Sequence, residues 1–210
     1  MNKSRSVHCA LTAVVLSLLT LGAVPSAQAT PIPYYAVLDG ASENPPNASS
    51  GQGTALVIYD SVLHTLSLHV TFSGLTGNAT AAHIHCCIAS PGNVGVATTT
   101  PTFPGFPDGV TSGAYNNTFD LTQAASFNAA FVTNNGSTLA GAEAALALGL
   151  AEGKAYLNIH TTFAPGGEIR GFLNEVPEPA SLALLGAGLF GIAASRRRTL
   201  QPKHTLVGTV

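Results

Sequence analysis

Residues 66–72, Leu-Ser-Leu-His-Val-Thr-Phe, alternate apolar and polar without a break. Successive side chains on a strand point to opposite faces, so Leu66, Leu68, Val70 and Phe72 belong to one buried face and Ser67, His69 and Thr71 to a wet one. The rest of the central chain follows the same style, with short apolar runs separated by Gly, Ser, Thr, Asn and Pro. Residues 34–40, 53–60, 79–86, 155–163 and 168–173 complete a set of six expected strands, and Ala164-Pro165-Gly166-Gly167 makes the last two a hairpin. Two helical pieces interrupt them. Residues 122–132 place Ala124, Phe127 and Phe131 on one side, and residues 137–153 place Leu139, Ala142, Leu146 and Leu150 at helical spacing, with Ser137 or Thr138 as cap and Gly153 as stop. The expected fold is all-β, mainly an antiparallel β-sandwich of Greek-key or immunoglobulin-like type, with one or two short helices.

The two ends of the chain are of another kind. Lys3 and Arg5 precede an uncharged, mostly apolar run from Ala10 to Val24, and Ala27-Gln28-Ala29 has the small-x-small form of an export cleavage site, so residues 1–29 read as a signal peptide. Cys9 would leave with it. Near the other end, Val176-Pro177-Glu178-Pro179 is followed by an apolar stretch, Ala180 to Ala194, and by Arg196-Arg197-Arg198. This segment, residues 176–198, resembles the PEP-CTERM sorting signal of Gram-negative bacteria that make exopolysaccharide. The resemblance implies processing by an exosortase-type enzyme and delivery to the cell surface, outer envelope or extracellular matrix. The membrane would hold the apolar segment until then, with the arginines on the cytoplasmic side. Residues 199–210 form a C-terminal tail.

Between these ends lie residues 30–175, a usual length for one domain. They contain nine carboxylates against Lys154 and Arg170 alone, a formal balance of −7. Nucleic-acid binding needs a basic footprint, which this composition excludes; cations or a cationic partner suit it better.

The chemistry-bearing stretch is Ala-Ala-His-Ile-His-Cys-Cys, residues 81–87. On a strand His83 and His85 share a face while Ile84 points into the core. His-x-His can offer two imidazole nitrogens to one ion, and imidazole suits zinc or copper. His160 is a third candidate ligand, and Glu168 a carboxylate that would complete the set or orient a histidine. Hairpin register decides part of this: a three-residue loop sets His160 opposite Arg170, whereas a two- or four-residue loop sets Ile169 or Gly171 beside it. The alternative is a hydrogen-bonded polar network that pins the strands, with Glu43 and Arg170 as members. Cys86 and Cys87 are the thiols left after export; in an oxidising compartment they can close a disulfide with each other, ligate a soft ion, or pair between molecules.

Four segments in order, Leu38–Pro46, Ala81–His85, Gly153–Thr161 and Pro165–Leu173, resemble the signature of the CHRD domain, a module named after chordin. The resemblance implies a β-rich extracellular binding module without established catalysis. A non-enzymatic surface or exopolysaccharide-matrix protein, with an envelope or exopolysaccharide component as partner, is therefore expected. The alternative is a metal-dependent oxidoreductase: His-x-His, a later histidine and Gly-Gly-x-x-Arg bear a faint similarity to copper-zinc superoxide dismutase. Against it, residues 86–159 contain no histidine. No Gly-x-Ser-x-Gly elbow points to a hydrolase.

Overall fold

The computed structural model describes residues 30–177, 188–190 and 192. The expected signal peptide, residues 1–29, lies outside them, as do most of the apolar segment 180–194 and the tail 199–210. Among the described residues no helix is long and apolar enough to cross a membrane.

Among the described residues eight strands form one antiparallel sheet: β1 (Ile32–Asp39), β2 (Gln52–Asp60), β3 (Thr65–Ser73), β4 (Ala79–Cys86), β5 (Gly113–Asp120), β6 (Ala155–Thr161), β7 (Ile169–Phe172) and β8 (Asn174–Glu175). The order is β4-β6-β7-β1-β2-β3-β5, with β8 paired to β1. Consecutive strands β3 and β4 stand far apart in this order, yet only residues 74–78 link them. Five linking residues make six Cα steps, which reach at most about 22 Å. Five strand spacings laid flat would need about 24 Å. The sheet must curl, and the single core cluster collected from all the long strands fills its concave side. The layers expected of a sandwich are thus parts of one continuous, curled sheet.

The 66–72 alternation holds: Leu66, Leu68, Val70 and Phe72 are buried, while His69 and Thr71 are exposed. Two strands go beyond the expected six. In β5, Tyr115 and Phe119 face the core from a segment whose Asn116-Asn117 pair looks turn-like, and β8 is only two residues long. The expected helix over 122–132 is broken. Ala124–Ser126 is a single 3-10 turn, and Asn128, extended, restarts the chain as α1 (Ala129–Asn134) by accepting a hydrogen bond from Ala130 N. Phe127 and Phe131 are buried as expected, but Ala124 is exposed. The second helix, α2 (Leu139–Ala151), is capped by Thr138, whose side chain accepts from Gly141 N, and Gly153 follows it at φ 62°. Ala142, Leu146 and Leu150 are the face laid on the core.

Residues 87–112 carry no named strand but are far from loose. Gly95 O accepts from Cys86 N, Ala97 and Thr98 N–H both donate to Ile84 O, Phe103 N–H to Ala82 O, and Gly109 N–H to Ala79 O. Strand β4 has a neighbour, β6, on one side only, and this segment satisfies the backbone on its other side.

At the end of β4, Cys86 and Cys87 are joined by a disulfide. A Cβ added at Gly149 of α2 would meet both sulfurs, so the helix packs there only because that residue has no side chain. Glycine-to-alanine changes within helices ordinarily stabilise by about 0.5–1 kcal/mol. Gly149→Ala should instead destabilise by about 1–3 kcal/mol through overpacking. The loss should shrink when both cysteines are also alanine; urea denaturation of the four proteins measures it, and equal losses in both backgrounds would refute the contact.

Candidate metal centre

Alternation on β4 sends Ala82, Ile84 and Cys86 to the core and His83 and His85 to the opposite face. On β6 the same face carries Tyr156, Asn158 and His160, and on β7 it carries Arg170 and Phe172. Pairing sets His83 level with Asn158, His85 with Tyr156, and Asn158 with Arg170. His160 pairs with Ala81 and reaches His83 along the diagonal, with ring centroids 5.2 Å apart. His85 lies 5.7 Å from His160 and 5.9 Å from His83 on the same measure. One ring nitrogen from each of the three lies within 4.8 Å of the other two.

One nitrogen of each ring is held by a backbone carbonyl. His83 Nε2 is 2.7 Å from Pro101 O, His85 Nδ1 2.8 Å from Val94 O, and His160 Nδ1 3.0 Å from Pro165 O. A carbonyl only accepts, so each of these nitrogens carries the proton, and each neutral ring has its lone pair on the other nitrogen. Those are His83 Nδ1, His85 Nε2 and His160 Nε2, all three buried without a hydrogen-bond partner. Burial keeps the rings neutral. It lowers His85 to about 4, opposed by the Val94 carbonyl and helped by the charges of His160, His83 and Arg170. It lowers His83 and His160 as well. The Tyr156 ring stacks on His85 at 4.8 Å and 5°.

Glu168 does not join them. Its carboxylate accepts from Ser49 Oγ (2.5 Å), Thr76 N (2.5 Å), Gly77 N (3.1 Å) and Thr161 Oγ1 (2.6 Å), at the β3–β4 link. Its lone pairs are committed, and although burial raises its pKa, the net effect of these donors is to hold the carboxyl below its ordinary range. None of the expected registers is realised: Ile159 pairs with Ile169 and Asn158 with Arg170, and the ladder ends there. Glu168 N donates to Ile159 O, and its carboxylate accepts from Thr161, whose side chain lies on the face opposite His160.

Arg170 is fully buried. It donates to Ser42 O (2.6 Å), Gly92 O (3.2 Å), Asn93 Oδ1 (2.7 Å) and Pro91 O (2.9 Å), and its guanidinium lies 4.8 Å from the Tyr156 ring centre. Glu43 Oε2 stands 3.8 Å from Arg170 Nε. Burial nevertheless pushes the Glu43 carboxyl up to about 7, against the lowering effects of Arg170, the Asn44 N–H and the Asn158 amide.

Asn158, Tyr156 and the carbonyls of Val94, Pro101 and Pro165 were not legible as parts of this site, although Asn158 stands two residues before His160 and so must share its face. Away from this site, the exposed His64 binds Glu143 of α2 at 2.9 Å, and Tyr59 OH donates to the same carboxylate.

A family model of the CHRD domain matches residues 34–173, and one of the PEP-CTERM protein-sorting motif matches residues 175–198. No curated protein and no solved structure matches the chain. All four signature segments, including those that carry Glu43, His83, His85, His160 and Arg170, fall within the first match. The chain therefore belongs to the CHRD domain family, in an exported form whose sorting motif marks it for an exosortase and for the envelope or surface of a Gram-negative bacterium.

Proposed function

We propose that the exported domain is a non-catalytic surface or matrix module that binds a first-row metal ion, zinc or copper, through His83 Nδ1, His85 Nε2 and His160 Nε2. One observation carries this reading: three buried imidazoles, each made neutral and oriented by a carbonyl, leave one nitrogen apiece with no donor to satisfy it, in three rings that each bring a nitrogen within 4.8 Å of the others. A purely structural network would pair these atoms, since a stranded buried acceptor costs about 1–3 kcal/mol. Arg170 and Glu168 are what such a network looks like here, each filled by several partners. An ion would use all three lone pairs at once, and the acidic surroundings of the domain favour cations. Zinc–imidazole bonds of about 2.0–2.1 Å would draw the nitrogens closer than they stand in the free protein.

Added zinc or copper should raise the melting temperature. A ligand of the folded state at a hundredfold excess over Kd contributes about 2.7 kcal/mol, several degrees for a domain of this size. His85→Ala should abolish the response and leave the protein folded. A flat response to both metals at pH 7.5 would overturn the proposal.

Without metal, pH acts on the site in two opposed ways. The folded histidines hold protons more weakly than the unfolded ones, His85 titrating at about 4 against an ordinary 6.5, so their contribution is lost as pH falls from about 6.5 toward 4. Glu43 titrates at about 7 when folded against an ordinary 4.5, so its contribution is full below 4.5 and is lost as pH rises through 7. Glu43→Gln removes only the second effect. Between pH 7.5 and 4.5, in chelator, the variant should lose about 1–3 kcal/mol more stability than the parent, read by urea denaturation. Equal losses would show that Glu43 is ionised in the folded domain.

A further inference from the structure

Two more buried atoms on this face lack partners, Glu43 Oε1 and Asn158 Oδ1. They are close neighbours: a Cβ added at Gly167 would lie 2.8 Å from the first and 2.6 Å from the second. Asn158 is flanked by two of the three histidines, level with His83 across the β4–β6 pair and two residues before His160 on the same face. Glu43 lies over the Asn158–Arg170 row, with its other oxygen toward the guanidinium. With the Glu43 carboxyl ionised, the five unpartnered atoms have one chemical character: three nitrogen lone pairs and two oxygen acceptors.

A bare ion satisfies the nitrogens but leaves the oxygens stranded. What satisfies oxygen acceptors is a ligand that carries protons, and an ion held by three protein nitrogens keeps a coordination position for such a ligand. Metal-bound water is a strengthened donor, because the ion withdraws charge from its O–H bonds. We propose that the His83–His85–His160 centre is an open site, whose fourth position takes water or another small protic molecule held through its protons by Glu43 Oε1 and Asn158 Oδ1. This rests on the metal-binding reading and adds to it a replaceable ligand and two positioning residues. Arg170 fits the same picture: by drawing on Glu43 Oε2, it leaves Oε1 as the oxygen turned toward Asn158.

The test loads the untagged exported protein with one equivalent of copper(II), with bound metal measured directly in parent and His85→Ala proteins. Water-proton relaxation and the visible spectrum are then followed during addition of azide, a small anion that replaces bound water. One copper per chain, lost in His85→Ala, with enhanced relaxation that azide suppresses as a new absorption band appears, is the expected result. In copper-loaded Glu43→Gln, azide should bind about fivefold tighter or more, because the anion no longer meets a carboxylate. Copper held by the histidines with neither relaxation enhancement nor azide response would mean a closed site, overturning this inference alone. An unchanged azide affinity in Glu43→Gln would remove Glu43 from the open position and overturn it likewise. No copper uptake, or uptake indifferent to His85→Ala, would overturn the metal reading and this inference together.

Discussion

The guanidinium of Arg170 is the interaction on which the rest of the site depends. A buried arginine is costly unless its donors are used, and here they are used almost entirely on backbone carbonyls: Ser42 on one loop, Pro91 and Gly92 on another, with Asn93 beside them. Glu43, the nearby carboxylate, is too weakly ionised to be a full counter-charge. The cation is therefore solvated mainly by peptide dipoles, and this requires both loops to close over β7 in a defined way. Closing them places Glu43 over Asn158 and brings Val94 O to His85. One planar, five-donor group thus fixes chain segments that sequence separates by about fifty residues.

From that closure follows the character of the histidines. Imidazole in water titrates near neutrality and rotates freely; these three do neither. Dry surroundings keep them unprotonated, and carbonyls from Val94, Pro101 and Pro165 select the tautomer of each. The orienting groups are backbone, not side chain, so the site's selectivity for a ring state is built into the path of the chain. Ordering groups in advance in this way lowers the cost of binding.

Sequence made part of this plain. Period-two alternation identified the strand through 66–72, and a strand through 79–86 sets His83 and His85 on one face, because successive side chains point to opposite sides. His160 was visible through its segment's likeness to a family signature. Glu168 stands apart for a physical reason: regular pairing of the hairpin stops at Ile159 and Ile169, and the carboxylate just beyond it is taken up by Ser49, Thr76, Gly77 and Thr161, which no local propensity reveals. Strand β5 was hidden because Asn116 and Asn117 are turn formers by preference but sit here on successive rungs, Asn116 exposed and bonded to His69, Asn117 half-buried opposite Leu68. The carbonyls that orient the histidines carry no side-chain signal at all. They come from a long segment without repeating pattern, which only the folded chain brings alongside β4.

That segment has a second consequence. A sheet whose last strand is bare offers a row of unpaired peptide groups to any other chain, and molecules crowded on a surface or in a matrix meet one another constantly. Residues 95–109 cover that row on β4, and the same stretch supplies Pro101 to His83. Order at the imidazoles and concealment of the sheet's edge are therefore one event. Whatever loosens this covering strap exposes a template for strand-to-strand joining between copies, so anything that holds the strap against the histidines also keeps the molecules separate.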